Sequence, residues 1–84
     1  MYKVVFRNSA EKDLEKVNSI YLVSVSLHIK KLSENPRPSG SVKLTGSTNT
    51  YRIRVGVYRI IYTIEDEILT VEVIKIDHRK SVYK

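Results

Sequence analysis

The sequence predicts an α+β fold: an N-terminal strand, two helices, then a three-stranded antiparallel meander with the helices packed on one sheet face. Three observations predict it. Apolar residues recur at helical spacing through the earlier part of the chain. The later part is made of β-rich runs parted by short turn signals. Between them lies one stretch, "NPRPSGSVKLTGSTN" (35–49), that holds both prolines and two of the three glycines.

Each element has a local reason. "YKVVF" (2–6) is a short β-rich run, and Asn8 or Ser9 offers a side-chain oxygen to cap a helix. In "SAEKDLEKV" the residues Ala10, Leu14 and Val17 fall on one helical face with charges between them. Residues 20 to 34 carry two patterns. "VSVSLHI" alternates like a strand, whereas Leu22, Val25, Ile29 and Leu32 form an i, i+3, i+7, i+10 stripe. The segment continues through two lysines to "ENP", where Asn35 suits a helix C-terminus and Pro36 ends it, so the spacing predicts a helix. After the 35–49 crossing, in which residues 42–44 are a candidate extended segment, strands are expected at about 50–55, 57–64 and 68–76. Gly56 and "EDE" (65–67) join them, so neighbours are antiparallel, and "DHRKSVYK" is read as a polar tail. With no repeat, low-complexity tract or long linker, residues 1–84 are expected to form a single domain.

Composition narrows the function. Fifteen Lys and Arg against nine Asp and Glu give a formal net charge of +6. That excess favours anionic partners, nucleic acid or an acidic protein, with plain solubility as the simpler account. There is no cysteine, hence neither a disulfide framework nor a thiolate metal site, which fits a reducing compartment. No run has the length of a signal peptide or a membrane span, and a cytoplasmic protein without metal or cofactor is expected.

The chemistry concentrates in "YRIRVGVYRIIY" (51–62). Side chains alternate along a strand, so Arg52 and Arg54 share one face and Tyr51, Ile53 and Val55 the other. A two-residue turn at 55 and 56 pairs Arg52 with Arg59, and one at 56 and 57 pairs Arg54 with Arg59. Both registers put all three arginines on one face, with Tyr58, Ile60 and Tyr62 turned toward the helices. Like charges across a ladder are unfavourable by roughly 0.2–1 kcal/mol. Exposed arginines on a solvated face are the bland account. The functional account is an anion site on rigid strands, with planar forks about 7 Å apart along the strand able to grip one phosphate or two successive ones. Val57 is an unusual apolar residue for such a turn. In the tail, Arg79 and Tyr83 stand four residues apart and share a face whether the tail is extended or helical. A cation beside a ring suits a nucleotide, whose phosphate and base they would take.

"NPRPSGSVKL.G…YRIRVG.YRIIYTI….LTVEVIKI.HRKSVY" resembles the RelE-type toxins of the RelE/ParE superfamily, the toxin halves of prokaryotic toxin–antitoxin pairs. The likeness spans nearly the whole chain and is carried by the order and spacing of several short motifs. The resemblance implies a ribosome-dependent endoribonuclease that cuts mRNA in the decoding site, by attack of the ribose 2′-hydroxyl on the adjacent phosphate. It also implies a cognate antitoxin, expected from the basic charge to be acidic. By the same resemblance Arg59 clamps the phosphate, Arg79 stabilises the transition state or donates a proton, and Tyr83 stacks on the substrate. Arg52 and Arg54 fall where well-known members carry two lysines, and Lys43 matches a basic residue near the RNA path. Because arginine stays protonated, the general base is left to His78, Tyr83 or a nearby lysine. An extended tail would turn His78 away from Arg79. His28, in the second helix and remote along the chain, is given no chemistry. Two alternatives stand beside this reading: a ParE-like inhibitor that binds DNA gyrase without cutting RNA, and a toxin that has lost catalysis.

Overall fold

Apolar residues at every second position of the later chain demand a one-sided sheet, and the structure, a computed structural model that describes residues 1–79, builds one. Strands β3 (Thr50–Val55), β4 (Tyr58–Glu65) and β5 (Thr70–His78) form the expected antiparallel meander. The sheet is larger than the meander, however. It has five strands in the order β1-β5-β4-β3-β2, because β1 (Lys3–Phe6) lies parallel to β5 and β2 (Val42–Lys43) pairs antiparallel with β3 at the other edge. The three-stranded expectation failed at both edges for one reason. Each outer strand is short, and periodicity does not report it: β1 finds its partner far along the chain, and β2 has only two residues with hardly any pattern of their own.

Between β1 and β2 the chain forms α1 (Asn8–Glu15) and α2 (Ser19–Lys31). The first helix is not capped as expected. Arg7 takes the cap position with no side-chain bond, and Ser9 Oγ instead donates to the Ile74 carbonyl at 3.0 Å, tying α1 to β5. At the second helix the Asn18 side chain accepts from the Ile20 amide at 3.0 Å. The helical stripe wins over the local alternation: Val25, Ile29 and Leu32 are buried, while Leu22 is more exposed and Tyr21 packs against the core beside them. Ile53, Val55, Tyr58, Ile60, Tyr62, Ile64, Val71, Val73 and Ile76 supply the sheet side of that core. A bulge lets β5 do this. Ile61 pairs with Lys75 but Tyr62 with Val73, so Ile74 is the extra residue that brings Val71, Val73 and Ile76 to one face.

The turn between β3 and β4 consists of Gly56 and Val57, since Val55 pairs with Tyr58. Gly56 has φ +60° and Val57 does not have positive φ, the pattern of a type II′ turn. That explains the odd valine: only the first central position needs glycine, and Val57 packs against the core. Among the described residues no helix is long and apolar enough to cross a membrane.

Candidate functional site

The register of β3 and β4 realises the second of the two expected pairings. Arg54 stands opposite Arg59 and Arg52 opposite Ile61, so the three arginines share the sheet face away from the helices. The next strand adds residues the sequence reading missed. Asp77 stands opposite Arg59 and Lys75 opposite Ile61, because β5 runs on to His78 instead of ending at 76. Asp77 therefore belongs to the sheet and not to a polar tail. Continuing the alternation one residue past Ile76 would have placed it there.

Asp77 changes the electrostatics of this face. Its Oδ2 lies 3.2 Å from an Arg59 guanidinium nitrogen and its Oδ1 3.4 Å from Lys75 Nζ. The side chain of Asp77 is only 12% exposed and that of Arg59 25%. Arg59 is thus a half-sheltered, ion-paired group and not a free surface cation, whereas Arg54 is exposed. A carboxylate wedged here offsets the repulsion between Arg54 and Arg59, which directly opposed like charges would otherwise suffer. Two donors remain unused. The Nε–H groups of Arg52 and Arg59 are shielded from solvent and meet no acceptor among the described residues. An orphaned donor of this kind is unfavourable until an acceptor arrives, so the face is primed for an oxygen-rich anion.

The other expected residues are dispersed. The Arg79 amide donates to the Val57 carbonyl at 2.7 Å, which holds Arg79 at the turn end of the sheet with its side chain exposed. His78 pairs with Tyr58 and so occupies the helix-side face; its ring meets that of Tyr58 edge-on at 5.2 Å. It lines a recess of about 270 Å³ with Asp13, Lys16, Tyr58 and Asp77, to which none of the three arginines contributes. Lys43 stands opposite Tyr51, which puts it on the face away from Arg52. Tyr83 lies outside the described residues.

A polar network braces the loop that follows α2. The Tyr62 hydroxyl donates to the Pro36 carbonyl at 2.7 Å in a buried position, and burial pushes its pKa up to about 12, so it remains a donor. Arg37 grips Asp66 with two bonds of 2.8 and 3.2 Å and donates to the Tyr51 hydroxyl at 3.2 Å. The bond to Asp66, then that to Tyr51, raises the pKa of Arg37. Asp66 is lowered in turn, first by Arg37 and then by the Tyr2 hydroxyl, which is itself raised by donating to it at 2.6 Å.

Known proteins share both this sequence and this architecture. A family model described as the ParE toxin of the type II toxin–antitoxin system parDE matches residues 4–83. The toxin RelG of Mycobacterium tuberculosis is 33% identical over 84 residues, covering 99% of this chain and 97% of that protein. A putative RelE-like toxin protein of Escherichia coli is 31% identical over 81 residues, covering 94% and 84% respectively. Among solved structures, the toxin–antitoxin complex RelBE2 of Mycobacterium tuberculosis superposes with a TM-score of 0.81 at 34% identity, over 93% of this chain and 98% of that one. The isolated RelE toxin of Escherichia coli gives 0.82 at 29% identity, over 99% and 92%. On family model, curated relatives and fold alike, the chain belongs to the RelE/ParE toxin superfamily and is of the RelE type.

Proposed function

We propose that the protein is the toxin of a type II toxin–antitoxin pair and acts as a ribosome-dependent endoribonuclease on mRNA in the decoding site. The observation that carries this reading is the arginine face, with its two shielded and unused Nε–H donors. In the proposed reaction the ribose 2′-oxygen bonds to the adjacent phosphorus as the bond from phosphorus to the 5′-oxygen breaks. The products are a cyclic phosphate and a 5′-hydroxyl. Arg54 and Arg59 hold the phosphate and stabilise the charge that builds on its oxygens, with Arg52 beside them. Arg79 donates to the departing oxygen, and Tyr83 stacks on a base. Lys43 holds RNA beyond the edge of the sheet. The 2′-hydroxyl proton goes to Tyr83 or to a lysine, for which Lys75 is the candidate on this face; His78, on the other face, is the more remote choice.

A cognate antitoxin is part of the proposal, since relatives have been solved as toxin–antitoxin complexes. The outward side of α2 exposes Ile20, Val23 and Leu27, which suits a partly apolar partner segment.

Primer extension on mRNA in a translation system tests the reading. Wild type should cut within decoding-site codons, and Arg54→Ala should lose at least 100-fold in rate while staying folded. Intact mRNA with the wild-type protein would overturn it. The matching family model is described as a ParE toxin, which favours one second reading, gyrase inhibition. Inhibited DNA supercoiling with intact mRNA would support that instead.

A further inference from the structure

A second cationic recess opens around the outer edge of β3, where β2 stops. The short strand pairs only with Tyr51 and Arg52, so the rest of β3 runs on uncovered. There His28 and Lys31 of α2, Pro38 and Gly40 of the loop, and Ile53 and Arg54 line a cavity of about 280 Å³. His28, set aside on sequence grounds as remote, is thus a neighbour of Arg54 in space.

The recess is built and not incidental. Tyr62 anchors the loop through the Pro36 carbonyl, and the Ser41 amide closes a turn on Pro38 at 2.9 Å. His28 Nδ1–H donates to the Ser24 carbonyl at 2.7 Å, which fixes the ring and leaves Nε2 outside that bond. Neither Lys31 nor Arg54 forms an ion pair among the described residues. Backbone parity adds a donor. Residues flanking a two-residue turn exchange their backbone bonds, so Val55 faces β4 and Arg54 directs its N–H and C=O to the outer edge. Thr50 has the same parity, and its carbonyl does face outward, accepting the Leu44 amide at 2.8 Å.

We propose that this recess is a second RNA subsite, which takes the phosphate and sugar of a nucleotide flanking the one held on the arginine face. The inference rests on the endoribonuclease reading and extends it. Arg54 links the two sites, with its guanidinium on the open face and its backbone edge in the recess. Lys31 and the Arg54 amide receive the phosphate, and His28, Pro38 and Ile53 form the wall for the ribose. An added peptide strand fits less well. Only Arg54 offers an outward N–H and C=O between the end of β2 and the turn, too short a ladder to hold one.

The test is an amide NMR titration with a 2′-O-methylated RNA trinucleotide, which lacks the attacking hydroxyl. In wild type the Lys31, Ser39, Gly40 and Arg54 amides should shift together with those of Arg52 and Arg59. Lys31→Glu, and to a lesser degree Lys31→Ala, should lose the recess shifts and weaken binding about tenfold, with the arginine-face shifts retained. Shifts confined to Arg52 and Arg59, recess shifts unchanged in Lys31→Glu, or no binding would each overturn the subsite. Primer extension keeps the two readings apart: cleavage by a protein with a silent recess removes only the subsite. A responsive recess in a protein that leaves mRNA intact removes only the nuclease reading.

Discussion

Replacing Asp77 with alanine should destabilise the protein by about 2 kcal/mol, a large share of the roughly 4–12 kcal/mol expected for a chain of this length. At 3.2 Å the attraction between Asp77 and Arg59 is about 5 kcal/mol at an effective dielectric constant of about 20. Desolvation of two sheltered ions offsets more than half of it. Exposed ion pairs contribute about 0–1 kcal/mol and loss of one partner from a buried pair costs about 3–5 kcal/mol. With side chains 12% and 25% exposed, this pair falls between those limits. The variant also leaves Arg54 and Arg59 opposed without a counter-ion, which adds roughly 0.2–1 kcal/mol. Urea unfolding at low salt of wild type, Asp77→Ala, Arg59→Ala and the double variant reads the coupling, expected at about 1–2 kcal/mol. Arg54→Ala placed on Asp77→Ala should recover part of the loss. A penalty for Asp77→Ala below about 0.5 kcal/mol, or a coupling near zero, would refute the view that Asp77 holds this face together.

Tyr62→Phe should cost about 1–3 kcal/mol in the same assay, because it leaves the buried Pro36 carbonyl without its donor; an unchanged urea midpoint would show that the loop is held otherwise. Asp66 has a folded pKa below its unfolded value, so its stabilisation is complete above the ordinary carboxylate range near about 3.9 and disappears as pH falls through the folded value. Asp66→Asn should therefore lose stability relative to wild type at neutral pH and converge with it in acid; curves that stay parallel would exclude the Arg37–Asp66–Tyr2 network as the cause. Gly56→Ala should cost about 1–2 kcal/mol, since φ is +60° and the new Cβ would lie 3.0 Å from Tyr21 Cε1. A stabilised Gly56→Ala would mean that the turn has another shape.

Two local rules, the period of two and the parity of a hairpin turn, were enough to put Arg52, Arg54 and Arg59 on one face from the sequence alone. The same kind of local pattern identified both helices, although the α2 stripe had to be preferred over a competing alternation. Tertiary structure decided what stands beside the arginines. Asp77 became their counter-ion because β5 outlasts its apolar run, and His78 was carried to the Tyr58 face by the next step of the same alternation. Lys43 was turned away from Arg52 by the register of a two-residue strand that leaves hardly any sequence signal. The parallel pairing of β1 with β5, and the recess that joins His28 to Arg54, depend on contacts between segments far apart in the chain. Periodicity is a property of neighbours along the backbone and sets which way each side chain points. Which strand or helix lies opposite is set by the burial gained when distant segments meet, and no window of sequence contains both partners.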